Sequence, residues 1–165
     1  MGATFDVEVS AADEVTEGPP EELVLENAFR KARAVADRLG TARPVLGVDT
    51  IVALGRQVFH KPADAAQARQ TLAALAGREH AVLSGVCLIE GDRTQTAASR
   101  TLVRFRPLTA QQIEDYVETG EWRGRAGGYA IQERGALLVS AIEGDYLNVV
   151  GLPVATLADL APWLL

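Results

Sequence analysis

The run from Val45 to Leu54 has the apolar, β-branched composition of a strand, broken at its centre by a carboxylate and a hydroxyl, Asp49 and Thr50. Such a run belongs in a sheet buried beneath other elements, so helices must cover it. An unpaired carboxylate in a dry interior loses its hydration and has to find a partner, a metal or a proton. Asp49 therefore either faces a functional groove or sits at an exposed strand end, accepting backbone hydrogen bonds.

The rest of the chain supplies the cover. Phe5, Val7 and Val9 alternate with polar residues, which predicts a short edge strand over 4–9. Glu17-Gly18-Pro19-Pro20 breaks the chain, and helical periodicity runs from Glu21 to about Leu39, with Gly40 as a C-terminal cap. On the helical wheel Val24, Leu25, Ala28, Phe29, Ala32, Val35 and Leu39 form an apolar sector, with Lys31 at its margin, away from the other charges. After a turn at Gly55-Arg56 and a short segment Gln57–Phe59, an alanine-rich helix spans about Ala63 to Ala76. Strands at His80–Ile89 and Thr96–Phe105 form a hairpin, and Thr109-x-x-Gln112 is a capping box for a helix towards Thr119. A glycine-rich loop precedes a second predicted hairpin, Ala136–Ile142 with Tyr146–Val150, and Pro153 opens a final helix through Leu165. This order predicts an α/β fold, a mixed β-sheet flanked by helices, within a single domain over 1–165.

Composition narrows the partners. Of 165 residues, 16 are Lys or Arg and 22 Asp or Glu, a net charge of −6, which argues against a nucleic-acid polymer or an anionic membrane as partner. No apolar run reaches the roughly 20 residues of a membrane span, and the first residues lack the pattern of a signal peptide, so a soluble cytoplasmic protein is expected. A lone Cys87 inside Val86–Ile89 predicts a buried, reduced thiol.

Few other residues carry chemistry on spacing alone. Asp13-Glu14 reads as solvated loop or as a site acid; Lys31 either snorkels to water or aims into a cleft; Lys61 before Pro62 reads as a solvated turn residue. Gly124 to Gly135, with Arg123, Arg125, Arg134 and Gln132, is an irregular loop whose backbone could approach a ligand closely. His60 and His80 lack metal-ligand spacing, so a hard cation held by carboxylates is the metal chemistry left open.

Five co-linear motifs then act together: Gly47-Val48-Asp49-Thr50-Ile51-Val52, Lys61-Pro62, Phe105-Arg106-Pro107-Leu108, Ala126 to Gln132, and Glu143 to Tyr146 followed by Asn148 to Pro153. In order and spacing they resemble the Maf family of nucleoside triphosphate pyrophosphatases across essentially the whole chain. The resemblance implies a fold like that of inosine triphosphate pyrophosphatases, with a cleft between two lobes, and hydrolysis of a nucleoside triphosphate to the monophosphate and pyrophosphate. It implies Asp49 as proton acceptor for water, Glu14 and Asp49 as holders of Mg²⁺ or Mn²⁺, and Lys31 and Lys61 facing the triphosphate. Thr50 and Gln132 match positions tied to base choice, in the branch acting on dTTP and UTP, and a homodimer is also implied.

The family's opening Ser-x-Ser-Pro-Arg-Arg segment has no counterpart after Met1. Its loss would remove a sheet strand and a phosphate-gripping arginine, for which Arg123 or Arg125 could partly compensate. That departure leaves a second expectation, a weakly active or inactive nucleotide-binding, septum-linked regulatory protein.

Overall fold

The computed structural model describes residues 4–40 and 43–164. The first long helix, α1 (Pro20–Leu39), starts with Pro20 in its first turn, where a missing N–H costs nothing, and Glu21 and Glu22 complement the helix dipole. Its cap is Gly40, as expected, but its buried face is Leu23, Val24, Asn27, Ala28, Ala32, Val35 and Ala36, whereas Phe29 and Leu39 are exposed. The helix is therefore rotated from the sector drawn from hydrophobicity. Small residues and an asparagine face inward because the helix lies very close to the sheet.

Five strands, β1 (Val45–Leu54), β2 (Gln57–Phe59), β3 (Glu79–Glu90), β4 (Arg93–Phe105) and β5 (Val139–Glu143), form one sheet in the order β2-β1-β3-β4-β5. Every pairing among the described strands is antiparallel, so the mixture in this α/β fold lies in its elements and not in strand direction. Alternation along β1 and β3 splits the sheet into two covered faces. Ile51, Ala53, Ala81, Leu83, Cys87 and Ile89 pack under α1. Val52, Val82, Val86, Leu88, Val103 and Phe105 pack on the other face, under α2 (Ala65–Leu75), α3 (Ala110–Thr119) and α5 (Val154–Leu160).

Two glycines set the distance between α1 and the sheet. A Cβ at Gly47 would overlap the Ala28 carbonyl and the Ala32 nitrogen, and one at Gly85 would overlap the Val24 carbonyl. Their bare backbones let α1 lie across β1 and β3 at these points.

Three sequence expectations are corrected. Residues 4–9 form no strand: Phe5, Val7 and Val9 are 77%, 84% and 80% exposed, so their alternation has no partner to bury against. Tyr146–Val150 is a helix, α4, instead of a strand, because the Asp145 side chain caps it at the Leu147 N–H and Gly151 ends it in the left-handed region. The second predicted hairpin therefore does not form, and the segment before β5 is a 3₁₀ helix over Glu133–Leu138, while the turn expected at Gly55-Arg56 joins β1 to β2. The final helix stops at Leu160 and gives way to 3₁₀ geometry over Pro162–Leu164, and Leu165 lies outside the described residues. The capping box at Thr109 and Gln112 forms as expected, as does the buried, free Cys87.

Candidate active site

β2 pairs only with Val52, Ala53 and Leu54, so it covers one end of the outer edge of β1. Beside the remainder, residues from both faces of β1 reach one cleft: Asp49 from the α1 face, Thr50 from the other. Lys31 of α1, Lys61 from the turn after β2, and Arg125 and Gln132 from the glycine-rich loop add to its polar lining. The loop can lie this close because Gly127 adopts a positive φ of 68° and a Cβ there would strike Val52.

Asp49, 7% exposed, is the most constrained group. Its Oδ1 accepts from Lys31 Nζ at 2.6 Å and its Oδ2 from Asn27 Nδ2 at 3.3 Å. Lys31 also meets Glu14 Oε1 at 2.7 Å, so one ammonium lies between two carboxylates. The helix-margin lysine is thus neither free in water nor free for a ligand. Burial pushes its pKa down, but the hydrogen bonds to Asp49 and Glu14 outweigh this and hold it above the ordinary lysine value. Glu14 is held below the usual carboxylate range, first by its hydrogen bond from Lys31, against an opposing cost of burial, with Lys61 and His60 adding positive field.

Thr50 Oγ1 lies 2.8 Å from Ser84 Oγ on the neighbouring strand, the two residues being directly paired across β1 and β3. This pins the hydroxyl that faces the cleft. On the far wall, Tyr129 lines the cleft and its hydroxyl meets His80 Nε2 at 2.9 Å. His80 is buried beside Phe105, with Nδ1 unpartnered, and burial lowers its pKa to about 4, so it stays neutral around pH 7.

All six residues singled out from sequence are therefore accounted for. Asp49, Lys31, Thr50, Lys61 and Gln132 line one cleft, and Glu14 reaches its rim through Lys31. Sequence reasoning missed Asn27, Ser84 and Tyr129. Asn27 could have been found as a polar residue four before Lys31, on the same helical face. Among the described residues no cluster of three His, Cys, Asp or Glu side chains could hold a metal unaided. Among the described residues no helix is long and apolar enough to cross a membrane.

Comparison with known proteins places the chain among relatives. The chain is 51% identical over 156 residues to a dTTP/UTP pyrophosphatase of Symbiobacterium thermophilum, covering 93% of this chain and 80% of that protein. It is 46% identical over 164 residues to one from Moorella thermoacetica, covering 97% and 84%. A third, from Pyrococcus furiosus, is 43% identical over 148 residues, covering 90% and 77%. Residues 1–162 match the Maf-like protein family, and with these identities over most of each relative the chain belongs to that family.

Proposed function

We propose that this protein is a nucleoside triphosphate pyrophosphatase that hydrolyses dTTP and UTP to the monophosphate and pyrophosphate with the help of Mg²⁺ or Mn²⁺. The observation that carries the reading is the buried Asp49 carboxylate held between Asn27 and Lys31 at the cleft. The names of the relatives support the substrate class.

Asp49 accepts one hydrogen bond on each oxygen, and a carboxylate has about four acceptor positions, so capacity remains to orient water and take its proton. That water adds to phosphorus as the α–β phosphoanhydride breaks, and the electron pair leaves with pyrophosphate. Lys61, exposed and without an ion pair among the described residues, faces the polyphosphate, and Arg125 stands beside it in the lining. Thr50, fixed by Ser84, and Gln132, which offers both a donor and an acceptor, meet the O4 and N3–H edge of thymine or uracil.

The residues fit a hard divalent cation. Glu14 and Asp49 already converge on one cation, the Lys31 ammonium, within 2.7 Å and 2.6 Å. Two carboxylates with phosphate oxygens and water are an ordinary Mg²⁺ environment, and the cation's role is to neutralise charge growing on the leaving pyrophosphate. Glu14 and Asp49 would hold it, which requires Lys31 to release at least one of them.

Purified protein incubated with dTTP, UTP, CTP and 7-methyl-GTP plus Mg²⁺ or Mn²⁺ tests the proposal. Pyrophosphate release is expected from dTTP and UTP and is lost in Asp49→Asn. No release from any nucleotide, or release unchanged in Asp49→Asn, overturns it; calorimetric nucleotide binding without turnover would instead support a regulatory nucleotide-binding role.

A further inference from the structure

Between Thr4 and Pro19 the chain forms no helix or strand, yet it holds Glu14 at a defined point beside Lys31. Most of its ties lie at the surface: Asp6 to Arg43, Glu8 to Arg38, and the Asp13 carbonyl to Arg30. Exposed links of this kind fix position weakly. One tie differs. Asn27, 3% exposed, accepts from the Val15 N–H at 2.8 Å and donates to the Val15 carbonyl at 3.0 Å. One carboxamide thus takes both backbone groups of Val15, as a neighbouring strand would, and the same Nδ2 reaches Asp49. An aliphatic side chain at this position could touch Val15 but would set neither its register nor its rotation, and would leave polar backbone groups unpaired.

The geometry points to Asn27 as a positioning residue that sets the Glu14 carboxylate against Asp49, through the backbone of Val15 on one side and Asp49 Oδ2 on the other. It bonds one acid, Asp49, directly and reaches the other only through Val15, the residue next to Glu14. The inference rests on the proposed roles of Glu14 and Asp49, but its structural half can be read without turnover.

The test compares wild type, Asn27→Ala, Glu14→Ala and the double variant, by kcat/KM for dTTP and by the Mn²⁺ concentration for half-maximal rate. Hydrogen exchange is followed in the protein without nucleotide. Asn27→Ala is expected to lower kcat/KM and raise the Mn²⁺ requirement about tenfold in wild type, and to change both less than about threefold once Glu14 is gone. Exchange should accelerate over residues 13–16 while the amides of α1 and β1 keep their protection. Equal effects of Asn27→Ala in both backgrounds, or a loss of protection spread evenly over α1 and β1, would assign Asn27 a merely structural role and overturn the inference. If Asn27→Ala does not fold, Asn27→Asp keeps the acceptor for the Val15 N–H and removes both donated bonds; kcat/KM within twofold of wild type in that variant also overturns it. A wild-type enzyme without pyrophosphate release would defeat the catalytic reading, and the exchange pattern would still decide whether Asn27 anchors the segment.

Discussion

The two carboxylates that meet Lys31 are anchored in opposite ways. Asp49 sits midway along a ten-residue strand, paired across β3 with Gly85 and pressed against α1 by the absence of side chains at Gly47 and Gly85. Glu14 hangs on a segment without regular structure, most of whose apolar side chains are in solvent and whose buried anchor is a single amide. Asp49 is therefore placed by the sheet, at the cost of any freedom, and Glu14 by one local contact. A group placed by the sheet fails when the fold fails; a group placed by one contact can be lost while the fold survives.

The largest effect should come from removing the rigid acid. Asp49→Asn should lower kcat for dTTP about 10³-fold, within the range of acid–base contributions, with circular dichroism unchanged. Gly85→Ala tests its support: overpacking against the Val24 carbonyl should cost about 3 kcal/mol in urea denaturation, and activity should fall with stability. Glu14→Gln tests the other arm: on the proposed role of Glu14 it should raise the Mn²⁺ concentration for half-maximal rate about tenfold, with little change in the melting temperature because the group lies outside the core. A stability loss in Glu14→Gln as large as in Gly85→Ala would erase the contrast between the two anchors.

The smallest effect is a pH window. Glu14 is held below its ordinary value of 4.5, so its contribution is present above that pH and is lost as pH falls through its folded value. Lys31 is held above 10.5, so its contribution is present below that pH and is lost as pH rises through its folded value. The difference in urea midpoint between wild type and Glu14→Gln should stand on a plateau between these limits and vanish at either end. Because Glu14 is 44% exposed, the plateau should be worth under about 1 kcal/mol.

How much of this was legible depended on how local the cause was. Caps and breakers act within a few residues, and Gly40, the Thr109 box and the turn at Gly55 fell where the sequence placed them. Tyr146–Val150 misled because its residue types favour strands, while the Asp145 cap and the buried bonds of Asn148 to Val82 and Thr101 decide for a helix. Residues 4–9 had the right alternation but no face to bury, a fact that lies outside any window of sequence. At the site, the anomaly of Asp49 was visible from its neighbours and that of Lys31 from its helix. The roles given to Glu14, Thr50 and Gln132 came only through family resemblance, since nothing in the local pattern joins residues 14, 31 and 49. Asn27 showed in the sequence only as a polar residue one turn before Lys31; its bonds to the Val15 backbone come from chain packing that no local pattern gives.

The lysine clasped by two acids has a consequence for how the cleft greets an anion. Glu14, Lys31 and Asp49 together sum to one negative charge, and among the described residues Lys61 and Arg125 are the cleft-lining cations without an ion pair. In its resting state the pocket thus offers a polyphosphate only half of a welcome: two cations at the rim and a knot of one net negative charge behind them. On the proposed reading, Lys31 becomes available to phosphate only when another cation takes over its acids, so metal and nucleotide should each tighten the other's hold, and a bare anion alone should dwell only briefly.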